Sequence, residues 1–449
     1  MHCERIKNAS LPFINVLVRK SFKRLPTTME WGRFRKYARR MRELHEMGTP
    51  DPLPPKVISV LRPHAIDEPL LPNLGLLYLS GVTWFIPFIS LLLSPRTTTI
   101  HLVFPPSDNF VMTIAATVTA FPTLCPNLQV ISLRALPRDP LITAAVSKML
   151  LATNRNTLQK FLVDSPLTHE ANEVILKLST LCSLSVVIDR ETSLSSMSLP
   201  NLTEVEITSD EGDWPRLFHG ATLGRLDFVA FSFSPQSKEI GDFLQAFERV
   251  ALTSSAQNTL SVFRLSTPPS WNLNFSRLLP FTQLVDLKVE SPCKDGCSSK
   301  VDDDMIIDIS RAMPKLRELT LGDEPCGDST TGVTAKGLMA LALHCPDLRY
   351  LCIHFQVASL SVSPTSPGVI HNAEPTTPWT SSGLTILKAG EIPVPEESAL
   401  TVALTLLRIF PRIDTIDFID GGWEEVEGAI RLSRRIPNYS GKHHPLITC

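Results

Sequence analysis

One phrase recurs along the chain and constrains its fold more than any other feature. It reads LPNLGLLYLSG at 71–81, CPNLQVISLRA at 125–135, LPNLTEVEITS at 199–209, MPKLRELTLGD at 313–323 and CPDLRYLCIHF at 345–355. Each copy is Pro-x-Leu-x-x-Φ-x-Φ, where Φ is apolar. Looser copies are NTLQKFLVD, LGRLDFVAF, NTLSVFRLS, FTQLVDLKV, SGLTILKAG and FPRIDTIDF, with two weak ones at 97–103 and 183–188. The anchoring apolar positions are 74, 128, 158, 184, 202, 226, 260, 284, 316, 348, 384 and 413, with a weak unit near Thr98. The alternation Φ-x-Φ marks a strand with one buried face.

Between copies the apolar period changes to three- and four-residue steps, which predicts amphipathic helices over 139–152, 169–181, 238–250, 302–312, 333–343 and 396–409. A strand followed by a helix cannot bury its apolar face alone, so stacked copies must share one core. The sequence therefore predicts an α/β solenoid of about thirteen irregular strand-helix units, with strands on an inner arc and helices outside. The mean step of about 28 residues lies inside the roughly 20 to 29 of leucine-rich repeats. In this reading residues 48–437 form the repeat array, interrupted by a Pro/Ser/Thr-rich insertion at 364–383, with shorter loops at 291–300 and 322–332 and a patternless tail at 438–449.

The stretch from Leu76 to Leu93 lacks formal charge, yet Ser80, Gly81, Thr83, Pro87 and Ser90 interrupt it. A spanning helix wants about 20 mainly apolar residues, so this stretch reads as a strand with its covering helix and no membrane association is expected. Residues 1–47 hold twelve Lys/Arg against four Asp/Glu, a local +8 inside a chain whose formal net charge is −2. Trp31, Phe34, Met41 and Leu44 share one side of a helix expected over 30–46, with Arg35, Arg39 and Arg42 mostly opposite. This reads as a cap on the first repeat, whose basic face is solvated surface rather than a nucleic-acid contact.

Nine cysteines, an odd number, do not fit a complete disulfide framework and suit reduced thiols in the cytoplasm or nucleus. The start MHCERIKNAS is polar and charged, unlike a secretory signal, so the sequons at Asn8, Asn201, Asn274 and Asn438 are not expected to carry glycans. Cys293 and Cys297 in CKDGC, with Cys326 or the pair His443 and His444, do not make a convincing zinc set by spacing. Asp302, Asp303 and Asp304 precede an apolar run and read as helix-capping carboxylates. With no Walker loop, dinucleotide fingerprint, HExxH or GxSxG sequence, neither a cofactor nor a metal is expected, and the chain does not read as an enzyme.

What remains is a surface. Residues flanking the buried Φ positions project from the inner arc because strand side chains alternate in direction. These are Glu204, Glu206, Asp286, Lys288, Glu290, Glu318, Tyr350, His354 and Asp417, a set more acidic than basic that predicts a basic segment on a protein target.

The segments Phe22-Lys23-Arg24-Leu25-Pro26, Glu30-Trp31-Gly32-Arg33-Phe34 and Tyr37-Ala38-Arg39-Arg40-Met41-Arg42-Glu43-Leu44 resemble the junction between F-box and repeats in fungal, mainly basidiomycete, F-box/leucine-rich-repeat proteins. The resemblance implies a substrate receptor of an SCF-type ubiquitin ligase, in which an F-box holds a Skp-type adaptor and cullin while the solenoid presents the target. Of the F-box opening only Leu11-Pro12-Phe13-Ile14 is present, without the family's glutamate, so the F-box itself is truncated or missing and residues 1–47 would be its remnant.

Overall fold

The computed structural model describes residues 27–47, 61–65, 68–81, 86, 88–104, 110–188, 198–209, 222–233, 243–253, 255–267, 275–290, 301–322, 332–361, 382–390, 394–418 and 422–435. The chain divides into two compact halves, Met1–Gly224 and Arg225–Cys449. The insertion at 364–381, the loops at 291–300 and 323–331, the tail, the F-box-like opening, CKDGC, Cys326, His443 and His444 lie outside the described residues.

In the N-terminal half, helix α1 (Thr28–Ala38) opens with a capping box. The Thr27 hydroxyl accepts from the Glu30 backbone N–H at 3.3 Å, and the Glu30 carboxylate accepts from the Thr27 N–H at 2.8 Å. Strands β1 (Glu43–Met47), β2 (Leu76–Ser80), β3 (Thr99–Val103), β4 (Val130–Arg134), β5 (Lys160–Pro166), β6 (Ser183–Ile188), β7 (Ser198–Leu199), β8 (Glu204–Ser209) and β9 (Thr222–Leu223) follow. All pair in parallel: β1 to β6 and β8 in chain order, β7 with β9 as a separate two-stranded piece. Helices α2 (Ile89–Leu92), α3 (Val111–Leu124), α4 (Pro140–Ala152) and α5 (His169–Ile175) lie between strands.

The C-terminal half repeats the scheme with β10 (Phe228–Phe233), β11 (Val262–Ser266), β12 (Asp286–Glu290), β13 (Glu318–Leu321), β14 (Tyr350–Ile353), β15 (Ile386–Gly390) and β16 (Thr415–Phe418), again parallel and in chain order. Its helices are α6 (Phe243–Thr253), α7 (Asp303–Ala312), α8 (Ala335–His344), α9 (Val357–Ser361), α10 (Glu396–Ile409) and α11 (Trp423–Arg435). In each half, consecutive strands of the main sheet are spatial neighbours and the order never reverses. That distinguishes the arrangement from a doubly wound sheet and agrees with the expected alternation of strand and helix. Among the described residues no helix is long and apolar enough to cross a membrane.

The repeat follows from a small hydrogen-bond grammar. The anchors Leu74, Leu128, Leu158, Leu202, Leu226, Leu260, Leu284, Leu316, Leu348, Leu384 and Ile413 are all fully buried. The carbonyl one residue after an anchor accepts two N–H groups from the next repeat. Gln129 O takes Gln159 N and Lys160 N at 2.8 and 2.9 Å, and Arg317 O takes Arg349 N and Tyr350 N at 2.8 and 3.0 Å. The anchor's own carbonyl often receives a threonine hydroxyl. Thr97, Thr157, Thr180 and Thr259 donate to Leu74, Leu128, Leu158 and Leu226 O at 2.9, 2.8, 2.7 and 2.7 Å. These bonds satisfy buried backbone groups that otherwise would have no partner.

Four expectations are corrected by the structure. The helix expected over 30–46 ends at Ala38, and 43–47 is instead strand β1, whose Leu44 is buried and whose neighbour Arg42 supplies the carbonyl for Gly75 N and Leu76 N. The described residues thus hold seven main-sheet strands in each half, one more than the thirteen expected in all. The unit anchored at Leu184 is anchored by Leu181, because Cys182 O takes Thr203 N and Glu204 N; Leu184 is one of the buried Φ positions. Helix α5 accordingly stops at Ile175 rather than 181, since the chain must turn back before its anchor.

Capping carboxylates also join repeats. Asp302 accepts from Met305 N at 2.9 Å, the expected cap of α7. Asp303 reaches the start of α8, accepting from Thr334 N at 2.8 Å, Thr334 Oγ1 at 2.6 Å and Gly337 N at 2.9 Å. Asp303→Ala leaves these donors without their acceptor and is expected to lower stability by about 2 kcal/mol. Urea unfolding measures it, and a change below about 0.5 kcal/mol, the usual size for neutral surface substitutions, contradicts the bridging role.

Candidate protein-binding face

Alternation along each strand sends one set of side chains into the core and the other to the opposite face of the sheet. In the N-terminal half, β2 and β3 each run partly exposed, buried, partly exposed, buried. Their outward residues line up across strands by register: His45, Tyr78, His101, Ser132, Leu162, Ser185 and Glu206 fall side by side. His45 and His101 flank Tyr78 with ring centroids 5.9 Å away on either side.

Two expected site residues fall on this face, both in ion pairs that straddle β6. Glu206 accepts from Arg134 Nη2 at 2.7 Å, and Arg134 also donates to Ser185 Oγ at 3.1 Å. Glu204 meets Lys160 Nζ at 3.4 Å. Arg134 thus spans β5 and β6 while bonding Ser185, and Ser183 and Ser185 on β6 are buried, as is Ser132 on β4. Such partly exposed pairs contribute at most about 1 kcal/mol each; their main effect is to hold the carboxylates in fixed positions.

His101 is held below its ordinary pKa by burial first, and then by the Lys160 and His45 charges. The folded chain therefore disfavours the imidazolium, while the unfolded chain protonates near pH 6.5. Stability from this group is present above that pH and falls on acidification until His101 itself titrates. His101→Gln should show a smaller loss of melting temperature than the parent chain between pH 7.5 and pH 5.5; an equal loss contradicts the assignment.

In the C-terminal half, the outward residues of β11 to β15 line a concave depression of about 480 Å³. Asp286, Lys288, Glu290, Glu318 and Tyr350 all lie there, joined by Arg264, Thr320, Arg349, Cys352, Thr385, Ile386 and Lys388. Asp286 is buried against Arg264, whose Nε and Nη2 donate to one carboxylate oxygen at 3.1 and 2.7 Å. The same guanidinium lies over the Phe228 ring, 5.7 Å from its centroid. Lys288 pairs with Glu290. Tyr350 is pushed up to about 12, chiefly by burial, with Cys352, Asp417, Glu318 and Glu290 adding negative field.

Of the remaining expected residues, Asp417 is exposed on β16, beside Lys388 in the strand register. His354 follows β14, and its ring occupies the space above Gly322, where an added Cβ would meet Cδ2 at 3.2 Å. Gly322 has φ +104, a backbone conformation open to glycine, so the two residues form one compact corner.

Of the cations on these faces the sequence pointed only to Lys288. Arg134, Arg264, Arg349 and Lys388 join the face and offset its expected acidity. Arg264 and Lys388 occupy outward positions of the looser copies NTLSVFRLS and SGLTILKAG, where applying the same alternation would have found them. Among the described residues no group of three or more His, Cys, Asp or Glu side chains could hold a metal ion. Cys125, Cys182, Cys345 and Cys352 are not joined in disulfides, and burial pushes Cys125 and Cys345 up to about 12, far from the thiolate that reacts or ligates. No protein-family profile matches the chain, and no curated protein sequence matches it either.

Proposed function

We propose that this is a leucine-rich-repeat protein that holds a protein target on its strand faces, as the substrate-recognition subunit of an SCF-type ubiquitin ligase. The observation that carries target binding is the face itself: charged and aromatic side chains, fixed in register by parallel strands, line an open depression in the C-terminal half. Regular strands hold such side chains with little conformational freedom to lose, which favours recognition. The ligase connection rests on the resemblance of the segments between Phe22 and Leu44 to the F-box/repeat junction. Catalysis would then belong to the partners, with this chain supplying proximity between a target lysine and the recruited conjugating enzyme.

A second reading, a leucine-rich-repeat interaction scaffold with no ubiquitin role, is favoured by the missing glutamate after Leu11-Pro12. Affinity purification followed by mass spectrometry separates the two readings. Recovery of a Skp-type adaptor and cullin is the result expected of a substrate receptor, and their absence, with other partners retained, supports the scaffold.

A further inference from the structure

The charges of the C-terminal depression are unequally satisfied, and the unsatisfied ones describe a ligand. Asp286 is paired with Arg264, and Glu290 with Lys288. The carboxylates of Glu318 and Asp417 make no hydrogen bond or ion pair among the described residues, and neither does the Arg349 guanidinium. Glu318 stands directly across from Tyr350 in the β13–β14 register, a strand spacing of about 4.8 Å. Asp417 lies beyond the residues that line the depression, on the same side of the sheet as Tyr350 and two strands further on, beside Lys388 of the intervening strand. The Tyr350 ring is partly exposed on this face.

We propose that the depression binds a target segment in which an arginine or lysine adjoins an acidic residue, the cation lying over Tyr350 between Glu318 and Asp417 and the acid meeting Arg349. This rests on the reading of the strand face as a protein-binding surface and specifies the chemistry of its target. A guanidinium suits the cation position because it can stack on a tyrosine ring while its edge donates to carboxylates. A purely polybasic segment would set a like charge against Arg349, and a purely acidic one would face Glu318 and Asp417. Both mismatches work against binding, so the pattern selects mixed charge.

The test is selection from a random nine-residue peptide display library on the full chain, with parallel selections on Glu318→Lys, Tyr350→Ala and Arg349→Glu. Enriched peptides should carry Arg or Lys within two residues of Asp or Glu. Their affinity should fall about tenfold or more, the effect of losing one well-formed charged contact, on Glu318→Lys and Tyr350→Ala. Arg349→Glu should move the selected sequences toward a second basic residue. Glu318 and Arg349 are exposed, so these two variants should keep the parent melting curve, and Glu318→Gln replaces Glu318→Lys if that one melts early.

Enrichment of peptides without a basic residue, or peptides indifferent to all three substitutions, overturns the proposal, as does the absence of any enrichment. Peptides that respond to Glu206→Lys in the N-terminal half, and not to Glu318→Lys, overturn it while leaving target binding by the strand faces intact. Failure of the Skp-type adaptor to co-purify bears on the ligase reading alone.

Discussion

Replacing Leu316 and Leu319 together by Asp is expected to abolish cooperative thermal unfolding of the C-terminal half. Both leucines are fully buried, and Leu319 sits in register between Leu287 and Leu351. Each aspartate would place a carboxylate where neighbouring repeats supply apolar carbon. Burying an ionised group without a partner costs several kcal/mol or forces its protonation. Two such sites take up much of the roughly 5 to 15 kcal/mol that separates folded from unfolded chains. Because each repeat is stable only against its neighbours, the damage should spread along the half. Circular dichroism melting reads the outcome, and a transition retained at the parent temperature would contradict the repeat register.

The second large effect is expected at Phe247. This ring of α6 is fully buried and lies 5.6 Å from Phe231, 5.7 Å from Phe263 and 5.6 Å from Phe281, centroid to centroid. It thereby fastens the helix to β10, β11 and the turn before β12. Phe247→Ala should cost about 3 to 5 kcal/mol, the sum of lost transfer energy and the cavity left behind. Leu343→Ala on α8 provides the contrast: its side chain is 53% exposed, so a change within about 0.5 kcal/mol is expected. Equal effects at the two positions would show that the aromatic cluster is not the core of this half.

The anchors explain why so much of this architecture was legible. Wherever Pro-x-Leu-x-x-Φ-x-Φ is intact, the leucine is buried and the two Φ residues follow it into the core, as at Leu348, Leu351 and Ile353. The signal weakens where another residue can do the anchor's work. Thr97 is fully buried in an anchor position, and its hydroxyl bonds to Leu74 O, so the third repeat reads poorly as an apolar pattern although it is structurally regular. Leu44 misled the reading for a different reason. With Trp31, Phe34 and Met41 it matches a helical stripe, and only pairing with β2, a contact between residues more than thirty apart, makes it part of a strand.

Legibility of the face was uneven in the same way. Outward positions could be named from alternation alone, and Asp286, Lys288, Glu290, Glu318 and Tyr350 do meet in one depression. Their pairing could not be read from the sequence, since Arg134 reaches over β5 and β6 to Glu206, and Arg264 reaches Asp286 on the adjacent strand. Those contacts decide which carboxylates are already satisfied. Glu204, Glu206 and Asp286 looked equivalent to Glu318 as sequence, yet they are held by cations of the chain itself, whereas Glu318 is not.

The most direct test of the central claim, that the strand faces hold a protein target, is quantitative mass spectrometry of proteins captured by the parent chain and two variants. One variant carries Glu206→Lys and Glu318→Lys on the strand faces; the other carries Lys148→Glu and Glu397→Lys on exposed positions of α4 and α10. The account predicts that specific partners are lost with the strand-face variant and kept with the helix variant, both chains melting as the parent does. Partners retained by the strand-face variant and lost with the helix variant would contradict it.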